Sequence, residues 1–140
     1  IDVKESKLII MYTCKYLDQI IIDDLFHMES QGAKGFLARQ IGRYLQGLEE
    51  HLSAIDLGIM EHDFDTIREH AHKINGFSGT LGIKSIRSLS VQIESESIMH
   101  ENSKLSDLLK QLKDEVEVVR PELEEIARIS KSRLENLDHN

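Results

Sequence analysis

FDTIREHAHKINGFSGTLG, residues 64 to 82, is the stretch whose reading decides the fold. Phe64, Ile67, Ala71, Ile74, Ser78 and Leu81 recur at steps of three and four. That spacing gathers side chains on one face of an α-helix and on no face of a strand. Asp63 stands where its carboxylate can cap the first turn, and Gly82 suits the exit. Gly76 and Gly79 lie inside the same helix. A glycine there costs roughly 0.5–1 kcal/mol relative to alanine, so something other than helix stability accounts for them.

The same period extends outward in both directions. Leu37, Ile41, Tyr44, Leu48, Leu52, Ile55 and Ile59 predict a long amphipathic helix before it, after a loop from Gly32 to Gly35. Earlier still, Leu17, Ile21, Leu25 and Met28 predict a shorter one, with Asp18 as its cap. Downstream, Ile83, Ile86, Ser90 and Ile93 form a row. A polar loop, SESIMHENS at 95–103, is expected next, and then a last helix through Leu105, Leu109, Leu112, Val116, Val119, Leu123 and Ile126. Its register survives Pro121, which predicts a kink instead of a break. The expected fold is therefore all-α: an antiparallel four-helix bundle with an additional N-terminal helical segment and a kinked, extended C-terminal helix. Residues 1–16 are expected to be a lead-in helix or linker, 17–128 the bundle and 129–140 a C-terminal tail.

Composition narrows the function. A chain of 140 residues is long enough for one domain that buries about 68–70% of its unfolded surface. Seventeen basic residues against 25 acidic ones leave a net charge of −8, and the basic ones form no stripe with aromatics between them, which argues against a nucleic-acid partner. The single cysteine, Cys14, can make no intrachain disulfide and no thiolate cluster. The longest apolar run, Leu8 to Tyr12, is far short of the roughly 20 residues that span a bilayer. A cytoplasmic monomer without direct membrane contact is expected. The chain begins with Ile1, which suggests a piece of a longer protein.

The glycines acquire a meaning once His72 is placed on its helix. At 100° per residue the apolar row centres about 130° from His72, so the imidazole faces outward. Arg68, Gly76 and Gly79 fall within about 40° of it, giving a row that combines a nucleophile, a cation and two missing side chains. His70 points about 160° away, so the two histidines share no metal, and no metal site is expected. Glu49, Glu50, Glu94 and Glu96 read as solvated carboxylates, because neighbours one or two apart do not face each other on a helix. No phosphate-binding glycine loop precedes a lysine, so the chain is not expected to phosphorylate itself from ATP.

The run Ala71-His72-Lys73-Ile74-Asn75-Gly76, followed by Ser78, Leu81 and Gly82, resembles the phosphoacceptor segment of histidine-containing phosphotransfer (HPt) domains, whose pattern is AHxLKGxSxxxG. Leu17-Asp18, the long helix from Phe36 to Ile59 and Asp63 match the family's layout, and the detail looks most like HPt domains at the C-terminal end of hybrid sensor kinases. The resemblance implies that His72 takes a phosphoryl group from the aspartyl phosphate of a response-regulator receiver domain and passes it to another. It implies no cofactor on this chain, with magnesium on the receiver. Two positions depart from the pattern: Asn75 stands where the family has lysine, and Phe77 where it has a small residue. Lys73, Arg68, Lys84 and Arg87 are the cations that can substitute, and with Asn75, Gly76 and Gly79 they make up the expected phosphoryl environment and docking surface. A helical adaptor that docks partners without carrying phosphate is the alternative from another class.

Overall fold

The computed structural model describes residues 12–138, with side chains through residue 134. Among the described residues five helices follow one another: α1 (Gln19–Ser30), α2 (Phe36–Glu61), α3 (Phe64–Thr80), α4 (Lys84–Met99) and α5 (Asn102–Asp138). Short links force consecutive helices to run antiparallel. In the resulting bundle α2 packs on α3 and α5, α4 packs on the same two, and α1 leans against α2. No helix among the described residues is long and apolar enough to cross a membrane.

The predicted rows of α2 and α3 form the core. Leu37, Ile41, Tyr44, Leu48 and Ile55 are buried on α2, opposite Ile67, Ala71 and Ile74 on α3, and α5 adds Leu105 through Ile126. Burying each large aliphatic side chain contributes roughly 1.5–3 kcal/mol, which is what orients these helices about their own axes. Buried Gly58 lets α2 and α3 cross closely, since a Cβ there would stand 2.8 Å from Ile67. Asp63 caps α3 by accepting from the Thr66 N–H at 3.2 Å. At the other end Gly82 takes φ 71° and the Ile83 N–H reaches back to the Ser78 carbonyl at 2.9 Å, closing the helix in a Schellman turn.

Several expectations need correction. On α1 the buried row is Ile22, Phe26 and Glu29, while Met28 is exposed and Ile21 and Leu25 are half-buried. The row is rotated by one residue because Glu29 is not a solvated charge. Its carboxylate accepts from the Leu37 N–H at 2.9 Å, from the Ser130 hydroxyl and from Arg133 at 3.3 Å. The expected loop at 95–103 shrinks to His100 and Glu101, because α4 runs on to Met99 with Ser97 buried in its row. His100 takes φ 58° and stacks on Phe64, with ring centroids 4.2 Å apart.

Both termini also differ. Residues 12–18 contain no helix, so any lead-in helix lies within 1–11, outside the described residues. That segment is held instead by Glu122, whose carboxylate accepts the N–H groups of Lys15, Tyr16 and Leu17 at 2.9, 3.1 and 3.0 Å. At the other end α5 passes through Pro121 and continues to Asp138, so residues 129–138 belong to the last helix and are no separate tail. Ser130 and Arg133 pin it to α1 and the start of α2.

Candidate functional site

His72 sits between buried Ala71 and buried Ile74, and the core row turns its ring outward as the helical arithmetic predicts. The side chain is 75% exposed. Its Nδ1 lies 3.1 Å from Oε1 of Glu94 on α4. An ionised carboxylate can only accept, so this contact assigns the single proton of a neutral ring to Nδ1 and leaves the lone pair on Nε2. Glu94 is therefore not the free solvated carboxylate expected: its side chain is only 22% exposed and it holds the imidazole. Its place beside the Ile93 row hinted at the α3–α4 seam, but only the packing of the two helices brings it to His72.

The remaining predicted residues divide into two groups. Asn75, Gly79 and Arg87 are joined across the α3–α4 seam, and Gly76 lies one turn beyond His72 on α3. Gly76 is open, with nothing within 4 Å of where a Cβ would stand. Gly79 is not open floor: the Arg87 side chain lies across it, 3.8 Å from a would-be Cβ, and Arg87 Nε donates to Asn75 Oδ1 at 3.0 Å. The other three cations are engaged elsewhere. Arg68 pairs with Asp65 at 3.0 Å, Lys73 with Glu69 at 3.3 Å, and Lys84 with Asp18, the cap of α1, at 3.4 Å.

On the opposite flank of α3 a groove of about 370 Å³ runs between α2 and α3, lined among others by Arg43, Tyr44, His51, Phe77 and Thr80. Phe77 is 57% exposed and stacks near His51, whose Nδ1 stands 2.9 Å from Nδ1 of His70. Burial pushes the His51 imidazole below its ordinary value, and the neighbouring His70 and Lys73 add to the effect. Ser78, in the motif segment, is buried and bonded to the Tyr44 hydroxyl at 2.7 Å, so its role is structural. Among the described residues no group of three or more His, Cys, Asp or Glu side chains is placed to hold a metal ion.

An exposed imidazole with one nitrogen held and the other free can take up and release a group at Nε2, and the open backbone at Gly76 leaves room for a partner. The chain is similar to known proteins in sequence and in fold. The chain is 31% identical over 105 residues to the phosphorelay intermediate protein rdeA of Dictyostelium discoideum, an alignment covering 75% of this chain and spanning 40% of the relative's length. Its fold superposes on the crystal structure of histidine-containing phosphotransfer protein B (HptB) from Pseudomonas aeruginosa PAO1 with a TM-score of 0.73, covering 83% of this chain and 97% of that one at 17% identity. A family model, Hpt domain, matches residues 41–128, which span most of α2, the His72 helix, α4 and most of α5. With its bundle, its exposed histidine and this match, the chain belongs to the Hpt domain family, the histidine phosphotransfer modules of phosphorelay signalling.

Proposed function

We propose that His72 is the phosphoacceptor, taking a phosphoryl group from the aspartyl phosphate of one receiver domain and handing it to the aspartate of another. The observation that carries the reading is the 3.1 Å contact from Nδ1 to Glu94 on a ring that is otherwise exposed. In the forward step the Nε2 lone pair attacks phosphorus. The N–P bond forms as the P–O bond to the donor aspartate breaks, and that aspartate leaves as a carboxylate. The ring keeps its Nδ1 proton and becomes a phosphoimidazolium, whose positive charge faces the Glu94 carboxylate. Return to a second receiver reverses each bond change, so Glu94 serves both directions.

Phosphoryl transfer needs little from this side beyond position and charge. Magnesium belongs to the receiver, and no cofactor is assigned to this chain. Docking is assigned to the open Gly76 side of α3, with Arg68, Lys73 and Lys84 as cations already paired with carboxylates and Asn75, Gly79 and Arg87 joined across the α3–α4 seam. The protein acts as a monomer in the cytoplasm. Incubation with a receiver carrying labelled aspartyl phosphate tests the reading. Label should move to this chain, survive base, be lost in acid, and be absent from His72→Gln. Binding of the receiver without any transfer would instead identify an adaptor.

A further inference from the structure

The cations around His72 differ in what already neutralises them. Arg68, Lys73 and Lys84 each face a carboxylate. Arg87 has no acidic partner among the described residues and touches a neutral amide instead, Asn75 Oδ1. That bond uses one of five guanidinium N–H groups, so the two terminal nitrogens keep their donors and the full charge remains uncompensated. Gly79 completes the seat. Cδ, Nε and Cζ of Arg87 lie 3.8, 3.8 and 3.9 Å from where its Cβ would be, so the side chain rests in contact distance of bare helix and a longer residue there would lift it.

The Asn75 end of the seat lies within one helical turn of His72. Asn75 is three residues after His72, a spacing that puts Cβ atoms about 5–6 Å apart on one side of a helix. A guanidinium anchored to Asn75 therefore stands about one helical turn along α3 from His72, with its two terminal nitrogens free to turn toward a group on Nε2. We propose that Arg87, steered by Asn75 and seated on Gly79, is the counter-charge for the phosphorylated form of His72, delivered from α4 across the helix seam. Asn75 is then a positioning residue that acts through Arg87. The inference rests on His72 being the phosphoacceptor.

A small donor separates the two claims, because it needs no receiver. Potassium phosphoramidate phosphorylates imidazole directly: Nε2 attacks phosphorus, the N–P bond to His72 forms, and the donor's P–N bond breaks with ammonia leaving. Labelling followed by ³¹P NMR should show one phosphohistidine in the wild type and none at this position in His72→Gln. A wild type that takes no label at His72 overturns the phosphoacceptor reading and this inference with it. Given labelling, Arg87→Gln should slow it by about two- to fivefold at low salt, Arg87→Lys should recover part of the loss, and the differences should fade near 1 M salt. Asn75→Ala should fall between wild type and Arg87→Gln. In ¹⁵N spectra the Arg87 Nε–H signal should move on phosphorylation. Equal rates for wild type and Arg87→Gln at low salt, with an Arg87 signal that does not respond, would overturn the inference while leaving His72 as the acceptor.

Discussion

Glu94 and His72, 22 residues apart in sequence and on neighbouring helices, are joined by a single 3.1 Å contact that decides which imidazole nitrogen is free. Removing the carboxylate should loosen the ring and uncover the charge of the phosphoimidazolium. Glu94→Ala is expected to slow transfer from a phosphorylated receiver by about three- to tenfold, the scale of one charge-assisted hydrogen bond at a partly exposed site. Glu94→Gln keeps an acceptor for Nδ1–H and should lie between. Ring ¹⁵N shifts of His72 check the cause: the population with Nε2 unprotonated should fall in Glu94→Ala and hold in Glu94→Gln.

Gly76 and Gly82 should respond to the same substitution with opposite signs. Gly76 is helical with open space around it, so Gly76→Ala is expected to raise stability by about 0.4–1 kcal/mol through the unfolded chain. Gly82 takes φ 71°, and a Cβ there would lie 2.7 Å from the Asp18 Cβ, so Gly82→Ala is expected to cost about 1–3 kcal/mol. Urea unfolding of the two variants measures both. In the transfer assay Gly76→Gln should be slow despite normal stability, and a wild-type rate would show that nothing docks over Gly76.

Glu29 is a buried carboxylate whose removal would strand the Leu37 N–H and the guanidinium of Arg133, whose side chain is only 12% exposed. Glu29→Ala is expected to destabilise the bundle on the order of 3 kcal/mol, because leaving one member of a buried pair unmatched costs more than the pair contributes. Thermal unfolding of Glu29→Ala beside the surface variant Asp24→Ala separates this from a generic loss of charge.

The His51–His70 pair predicts a pH dependence of stability. His51 lies below the ordinary imidazole value in the folded protein, through burial first and then through His70 and Lys73, with Glu50 opposing. Between that lowered value and about 6.5 the unfolded chain binds more protons here than the folded one. This contribution is therefore intact above about pH 6.5 and is lost as the pH falls through the lowered value. The decline in the urea midpoint between pH 7 and 5 should be shallower in His51→Gln, and an unchanged slope would remove His51 as its source.

Local periodicity determined most of the helices, because each is built from neighbours three and four residues apart and burial of one face supplies the energy. Leu37 to Ile59, Phe64 to Leu81 and Leu105 to Ile126 were legible on that ground, and so was the outward direction of His72, which follows from the same rotation. Glu29 was misleading because its partners are distant in sequence: it looks like a surface residue, and only Leu37, Ser130 and Arg133 make it interior. Ser97 also looks like a surface residue, but its hydroxyl is satisfied locally by the Glu94 carbonyl at 2.6 Å, and packing of α4 buries it. The site followed the same division. His72, Asn75 and Gly76 lie on one helix, so their grouping is a property of the sequence. Glu94 and Arg87 belong to α4, and the register of α4 against α3 sets Glu94 on His72 and Arg87 on Asn75. Buried Ile86, Ile93 and Ile74 set that register at long range, and no local pattern encodes it.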